Sequence, residues 1–345
     1  VTDASSTRLA DHTTMHVGGP ADAWVTATSQ EQLVAAVSAA DVAGTPVLVL
    51  GGGSNLLVAD EGFRGVVVEV GTRGVQAGDD DGPQCGGVEV VVAAGESWDD
   101  LVATAVERGW VGLEALSGIP GSVGATPIQN VGAYGQEVSQ TIASVRVWDR
   151  RLRGVRTFAN ADCGFGYRHS RFKADPGRHV VLEVTFQLRQ GDLGAPVQYA
   201  ELARALGVEV GTRAPMVDVR EAVLGLRRGK GMVVDADDHD SWSAGSFFTN
   251  PVVDPAVVPE GAPAWPQPDG TVKTSAAWLI EHAGFSKGHG GPRASLSTRH
   301  TLALTNRGDA RAADVLALAR EVRDGVESRF GIRLVNEPVL VGLTL

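Results

Sequence analysis

Ile119-Pro120-Gly121-Ser122-Val123-Gly124-Ala125-Thr126-Pro127-Ile128-Gln129-Asn130-Val131-Gly132-Ala133-Tyr134-Gly135 carries no charge and is small at almost every position. Five glycines fall between Gly118 and Gly135. Glycine admits positive φ and lets another surface approach the backbone. A loop this long and this poor in bulky side chains cannot build a core of its own. It is therefore expected to lie against something large and flat and to offer it backbone N–H groups. The plainer reading is a buried glycine-rich crossover between two strands.

A second glycine-rich loop, Gly51-Gly52-Gly53-Ser54-Asn55, comes directly after the apolar run Pro46–Leu50, which has the length of a buried strand. Such a loop leaving a buried strand can converge its N–H groups on a phosphate. No Gly-Lys-Ser/Thr comes after it, so it is not a P-loop, and the third glycine and immediate helix of a dinucleotide fingerprint are missing. A plain tight turn is the competing reading.

Around these loops the chain reads as α+β in three parts. Residues 1–70 form a first small α/β unit, with a strand at 23–27, a helix opened by Ser29 and Gln32 as a capping box and closed by Gly44, and a strand at 65–70. The C-terminal strand is a candidate to return to this part. Residues 71–215 form a second unit. It has a strand at 88–94, a helix capped by Ser97 and closed by Gly109, a hairpin of 145–148 and 155–158 around Gly154, and an alternating strand at 180–188. Asp79-Asp80-Asp81-Gly82-Pro83 is expected to be a solvated surface loop. Residues 216–345 are the third part. Asp218 and Glu221 open a helix that ends in Arg227-Arg228-Gly229-Lys230, cations where the helix dipole favours them. Residues 254–271 are Pro-rich and read as irregular, 275–283 is a helix, and 301–305 a strand. Val315, Ala319, Val322, Val326 and Phe330 mark one face of a long helix, and 332–337 and 339–343 read as closing strands.

The 345 residues are 43% hydrophobic and 21% charged, enough for a sizeable core, and Gly numbers 44. A net charge of −11 argues against a nucleic-acid surface. Two cysteines, Cys85 and Cys163, make no disulfide framework and no metal pattern, and the eight histidines are scattered, so no metal is expected. Residues 1–16 lack an apolar signal core and no run of 18 apolar residues exists, so a cytoplasmic protein away from the membrane is expected; a start at Val suggests a trimmed terminus. No Gly-x-Ser-x-Gly elbow supports hydrolase chemistry. Two glycine-rich loops on two small α/β units suit an extended phosphorylated cofactor, and residue chemistry alone names no reaction.

Residues 114–135, read with Gly51–Asn55, Gly166-Tyr167-Arg168, Ala244–Pro251 and Asn336-Glu337-Pro338, closely resemble the UDP-N-acetylenolpyruvoylglucosamine reductase (MurB) family. The resemblance runs from about Thr14 to Leu340 in the family's order. It implies a flavin module of the vanillyl-alcohol-oxidase (PCMH) type in the first two parts and a substrate-binding C-terminal domain. It further implies that NADPH reduces FAD, and that hydride then passes from flavin N5 to the methylene carbon of an enolpyruvyl ether of UDP-N-acetylglucosamine. The carbanion so formed, conjugated with a carboxylate, takes up a proton to give UDP-N-acetylmuramate, a peptidoglycan precursor.

By the same resemblance Arg168 is the catalytic arginine, suited to hold the carboxylate of the intermediate bidentately. Ser246 is the proton donor, a weak acid facing a strongly basic carbanion. Glu337 is the catalytic glutamate, useful beside an anion only if protonated or if it orients a donor. FAD contacts fall on Gly51, Gly52, Gly53, Ser54, Asn55, Ser117, Pro120, Gly121, Ser122, Gly124, Ala125, Ile128, Asn130, Gly132 and Val181. Substrate contacts fall on Tyr134, Tyr199, Lys230, Asn250 and Lys287. Tyr199 matches the loop tyrosine of the type I subclass, which is therefore expected, although Ser297-Thr298-Arg299-His300 looks like the type II pattern. The run Asp235–Asp240 would repel a diphosphate unless it lies on an outer face. The expected partners are the UDP-sugar substrate and NADPH, on a monomer. Two alternatives remain: another flavin oxidase of the superfamily, many of which tether FAD to His (neither glycine-rich loop contains one), and a non-catalytic nucleotide-sugar binder.

Overall fold

The structure, a computed structural model, describes residues 7–78 and 87–345; Cys85 and the acidic stretch at 79–83 lie outside them. The chain forms two compact units, one built from Asp22–Gly52 and Arg64–Arg228, the other from the N-terminal stretch ending at Ala21 together with Gly53–Phe63 and Gly229–Leu345. Helices and strands are mixed throughout, as α+β requires.

The first unit holds two sheets. Strands Ala21–Ala27, Phe63–Val70 and Val47–Leu50 lie side by side in that order, the last two parallel with Val47 opposite Val66. The helix Gln30–Ala43 covers them with Leu33, Val37 and Ala40. Ser29 accepts from Gln32 N–H at 3.2 Å, but Gln32 reaches back to Thr28 N–H (2.9 Å), one residue before the reciprocal bond of a capping box. Gly44, at φ 67°, takes the left-handed C-cap that only glycine adopts cheaply. The larger sheet runs Gly154–Ala159, Ile142–Asp149, His179–Gln190, Val88–Ala93, Val75–Ala77, antiparallel throughout, and Trp110–Val111 pairs with the end of His179–Gln190. Alternation along His179–Gln190 sends Val184 and Phe186 into a core with Trp98, Trp110 and Leu116. Val180 and Leu182 instead join the cluster under Leu33 and Val37. The helix Trp98–Glu107 starts at Ser97 without a side-chain cap; Ser97 is engaged through a backbone bridge to Ser122. The helix read as opening at Asp218 begins at Met216.

The second unit is organised on the helix Ala312–Phe330. Val315, Ala319, Val322 and Val326 fall on one face at 3.6-residue spacing and are fully buried, each valine worth roughly 1.5–3 kcal/mol. They pack with the helix Ala276–His282 and an antiparallel sheet of Ser243–Ser246, Ala303–Asn306 and Ala294–Leu296. Residues 332–337, expected as a strand, form no ladder and pair through an isolated Asn336–Phe248 bridge. The closing strand Val339–Val341 runs parallel to Leu56–Val58. The Pro-rich stretch is less irregular than expected, because Ala264–Pro266 and Val252–Val253 flank Val272–Thr274 in a small sheet. Pro266 sits on an edge strand, where its missing N–H costs no ladder bond.

Candidate functional site

In the first unit the glycine stretch is stitched along the residues that open the Trp98–Glu107 helix. Val123 N–H donates to Glu96 C=O and Gly124 N–H to Ala94 C=O, both at 2.8 Å, while Trp98 N–H donates to Gly121 C=O at 3.0 Å. A Cβ on Gly124 would stand 2.6 Å from Ala94 Cβ, so any side chain there would push the loop off its seat. Gly121, at φ 122°, needs glycine on conformational grounds alone. Upstream, the Asp99 carboxylate accepts Gly118 N–H at 2.5 Å and a two-pronged Arg220 guanidinium at 2.7 and 2.9 Å. Burial works against its charge, but the bonds from Arg220 and Gly118 outweigh it and hold the carboxyl below its ordinary pKa. Ser117 is fully buried and donates to Glu114 C=O at 2.7 Å.

The two glycine loops touch backbone to backbone. A Cβ on Gly52 would lie 2.6 Å from Gly121 Cα, and one on Gly51 would meet Ser122 Oγ. Gly51, Gly52, Gly121, Ser122, Gly124 and Ala125 are thus gathered, with half-buried Pro120 next in the chain. Ile128 leaves this loop 38% exposed, an apolar face on an otherwise covered segment. Val181 is buried in the core of the larger sheet. Asn130 has φ 48° and is 1% exposed. Its amide nitrogen donates to Glu137 (2.8 Å) and Gly166 C=O (3.1 Å), and its oxygen accepts from Ser139 N–H (3.1 Å). Its side chain therefore fixes the loop from within.

Arg168 stands two residues beyond that Gly166 carbonyl. It occupies φ 51° in the tight turn closed by the Gly166–His169 bridge, an unusual conformation for a non-glycine residue. Nη2 donates to Gly132 C=O at 2.9 Å, and a Cβ on Gly132 would stand 3.3 Å from Nη1. The guanidinium lies 5.6 Å from the Tyr167 ring centre. Tyr134, at φ 49°, meets Tyr199 edge-on with ring centres 5.9 Å apart, and Tyr199 is 49% exposed at the start of the helix Ala200–Leu206. Burial pushes the Tyr134 phenol up to about 12, an effect Arg227 opposes. Arg227, one of the cations read at this helix end, is buried, which pulls it down to about 10. Nothing in a one-dimensional pattern distinguishes a helix-end cation that faces water from one that faces a tyrosine.

The second unit assembles the other candidates. Gly245 (φ 70°) and a pairing irregularity between Ser243 and Ser246 bulge the strand just before Ser246. Phe247 and Phe248, fully buried, anchor the chain immediately beyond it. Glu337 N–H donates to Phe247 C=O at 2.8 Å, so Ser246 and Glu337 stand on bonded neighbouring segments, both half-buried. Asn55 joins them: Nδ2 donates to Glu337 C=O (3.4 Å) and its own carbonyl accepts Val339 N–H (2.9 Å). Gly53 (φ 60°) packs on the His12–Thr13 backbone, and Ser54 is half-buried beside it. Asn250 Oδ1 accepts Ala276 N–H at 3.0 Å and so caps a helix. Lys230 is half-buried and Lys287 exposed.

The acidic run raises no repulsion at Asp240. That residue is 5% exposed and accepts from Thr298 N–H (2.9 Å) and Arg307 (2.9 Å), with Arg299 at 3.6 Å. Burial alone would raise its pKa; the Thr298 bonds and Arg307 more than offset that and lower it. Ser297–His300 is thus committed in part to holding Asp240.

These residues fit a flavin dinucleotide. Backbone of the two loops is brought together where no Cβ can be added, no charged side chain stands between Ile119 and Tyr134, and Ile128 offers an apolar face. That is the chemistry of a pyrophosphate and an aromatic ring system held by N–H groups and small residues. Among the described residues no group of His, Cys, Asp and Glu could hold a metal, and no helix is long and apolar enough to cross a membrane.

Comparison with known proteins converges on the same chemistry. Residues 237–341 match the family model described as UDP-N-acetylenolpyruvoylglucosamine reductase, C-terminal domain, and residues 21–153 match an FAD binding domain. UDP-N-acetylenolpyruvoylglucosamine reductase of Cutibacterium acnes is 59% identical over 98% of this chain and 90% of its own length. That of Streptomyces avermitilis is 55% identical over 98% and 94%. The crystal structure of UDP-N-acetylenolpyruvylglucosamine reductase (MurB) from Thermus caldophilus is similar with a TM-score of 0.65 and 28% identity, covering 97% of both chains.

Proposed function

This chain belongs to the UDP-N-acetylenolpyruvoylglucosamine reductase family, and we propose that it reduces the enolpyruvyl ether of UDP-N-acetylglucosamine to UDP-N-acetylmuramate, with FAD as cofactor and NADPH as reductant, for peptidoglycan precursor synthesis. The observation that carries this reading is the pairing of Ser246 and Glu337 on bonded segments of one unit, in a chain whose other unit brings two glycine loops backbone to backbone.

The glycine loops 51–55 and 118–135 would hold FAD, which would supply hydride drawn from NADPH. The rest is work for side chains. Arg168, bonded to Gly132 C=O, brings its guanidinium charge to the substrate carboxylate and stabilises the charge that spreads onto it. Ser246 gives its hydroxyl proton to the carbanionic carbon. Glu337, on the neighbouring segment, orients the groups around that serine. Tyr134, Tyr199, Lys230, Asn250 and Lys287 bind substrate, the lysines as counter-charges to phosphate, and the exposed Tyr199 supports a type I assignment. The flavin is held by residues of the first two sequence parts, 1–70 and 71–215, and the substrate by 216–345 together with Tyr134, Arg168 and Tyr199 of the second part. We place the protein in the cytoplasm as a monomer, apart from membranes and nucleic acid.

Replacing Ser246 by Ala tests the reading. Stopped-flow of the separate half-reactions should show flavin reduction by NADPH within about twofold of wild type and reoxidation by the enolpyruvyl substrate slowed about 100-fold or more, within the usual ~10²–10⁴ range for a lost general acid. Equal loss in both halves would make Ser246 a structural residue.

A further inference from the structure

Glu114 is 1% exposed and opens the stretch that leads into the glycine loop. Three N–H groups from three segments converge on its carboxylate: Gly112 on Oε2 at 2.7 Å, Ala195 on Oε1 at 2.5 Å, and Gln136 Nε2 on Oε1 at 3.0 Å. Gln136 turns its own oxygen to Ala115 N–H at 2.9 Å. Gly112 lies just before the glycine stretch, Gln136 just after it, and Ala195 is four residues before Tyr199. The contact continues along the chain. A Cβ on Gly194 would stand 2.8 Å from Glu114 Oε1, and one on Gly135 would stand 2.6 Å from Gln198 Cβ. Tyr134 then meets Tyr199 edge-on, and Ala115 and Val197 share one apolar cluster against which Tyr134 packs. Residues 194–199 are thus seated on 114–115 at one end and 134–135 at the other.

We infer that Glu114 is a positioning residue: it holds the Tyr199 segment in register with the far end of the flavin loop, and so sets how tightly Tyr199 engages the UDP-sugar. The inference rests on the proposed role of Tyr199 as a substrate contact. The chemistry of the carboxylate explains why Glu is needed. It accepts only and has about four lone-pair sites, so all three donors are satisfied together. An amide of the same shape must turn its NH2 toward one of them and set two donors face to face. Losing a buried hydrogen bond to a charged group corresponds to about a 10- to 100-fold change in an equilibrium.

The test uses holoenzyme carrying Glu114→Gln, Tyr199→Ala and both. Glu114→Gln should keep its flavin content and absorbance, raise the KM for the enolpyruvyl substrate about 10- to 100-fold, and change kcat by less than about threefold. The double variant should be no worse than Tyr199→Ala alone, since both changes remove one interaction. Amide exchange read by mass spectrometry should accelerate in residues 193–200 of Glu114→Gln. Gln136→Met, which deletes one donor and leaves the carboxylate, should move exchange and KM in the same direction by less. KM effects that multiply in the double variant, or exchange at 193–200 unchanged in both Glu114→Gln and Gln136→Met, would overturn the inference. So would loss of flavin from Glu114→Gln. A wild-type protein that does not turn over the enolpyruvyl substrate refutes the proposed function instead, and exchange at 193–200 still decides whether Glu114 holds that segment.

Discussion

Substituting Gly52 by Ala probes the contact between the two glycine loops. The added Cβ would lie 2.6 Å from Gly121 Cα, and the obstacle is backbone, which cannot rotate aside. Restoring an ordinary contact requires the loops to part by roughly 0.8 Å. Gly52 does not occupy the positive-φ region, so the effect is steric. Overpacking of this size costs about 1–3 kcal/mol. Because these backbones are the proposed flavin cradle, the cost should be read as FAD affinity about 5- to 150-fold weaker. Titrating apoprotein with FAD, monitored by quenching of flavin fluorescence, gives the number. Gly225→Ala is the matched control: it lies within the helix Met216–Gly229, its Cβ would meet nothing within 4 Å, and it should gain about 0.5–1 kcal/mol of stability with unchanged FAD affinity. Wild-type FAD affinity in Gly52→Ala would refute the reasoning, for the loops would then have slack that their spacing denies them.

Asn130→Ala removes three bonds from a buried residue with positive φ and strands Ser139 N–H; a loss of about 2–4 kcal/mol is expected by denaturant titration, together with weaker flavin retention. Asp149 has a buried side chain whose pKa is lowered to about 2, first by hydrogen bonds from Arg178. Its folded pKa lies below its unfolded one, so this contribution is complete above about pH 4 and is lost as pH falls toward 2. Arg178→Gln should therefore lower stability near neutral pH and flatten the slope between about pH 4 and 2 in acid-unfolding curves recorded by circular dichroism. An unchanged slope would detach Arg178 from Asp149.

Features set by a few adjacent residues were legible in the sequence. Ser29 and Gly44 bound their helix as read, and Gly331 closes the helix Ala312–Phe330 at φ 68°. The glycine loops announced themselves by composition, and their family likeness pointed to Arg168, Ser246 and Glu337. The features that could not be read depend on distant partners. Ile332, Leu334 and Asn336 carry an alternation that fits a strand, yet the segment meets Phe247–Thr249 in a single isolated bridge and no ladder forms. The return of the C-terminal strand to the first part is a candidate from sequence and Val339–Val341 does pair with Leu56–Val58, but the parallel register and the strand it joins depend on a contact across most of the chain that local propensity does not encode. Arg227 and Glu114 were missed for the same reason: their type and charge are plain from sequence, while their role depends on which tertiary surface covers them. Asp99, an ordinary first-turn acid by its helix position, becomes a clamp because Arg220 and Gly118 are brought to it.

The most direct test of the function is one spectrum recorded three times. Purified protein should show oxidised-flavin absorbance, NADPH added without oxygen should bleach it, and the enolpyruvyl ether of UDP-N-acetylglucosamine should restore it with formation of UDP-N-acetylmuramate. Flavin that NADPH does not reduce, or reduced flavin that the enol ether leaves bleached, would contradict the account.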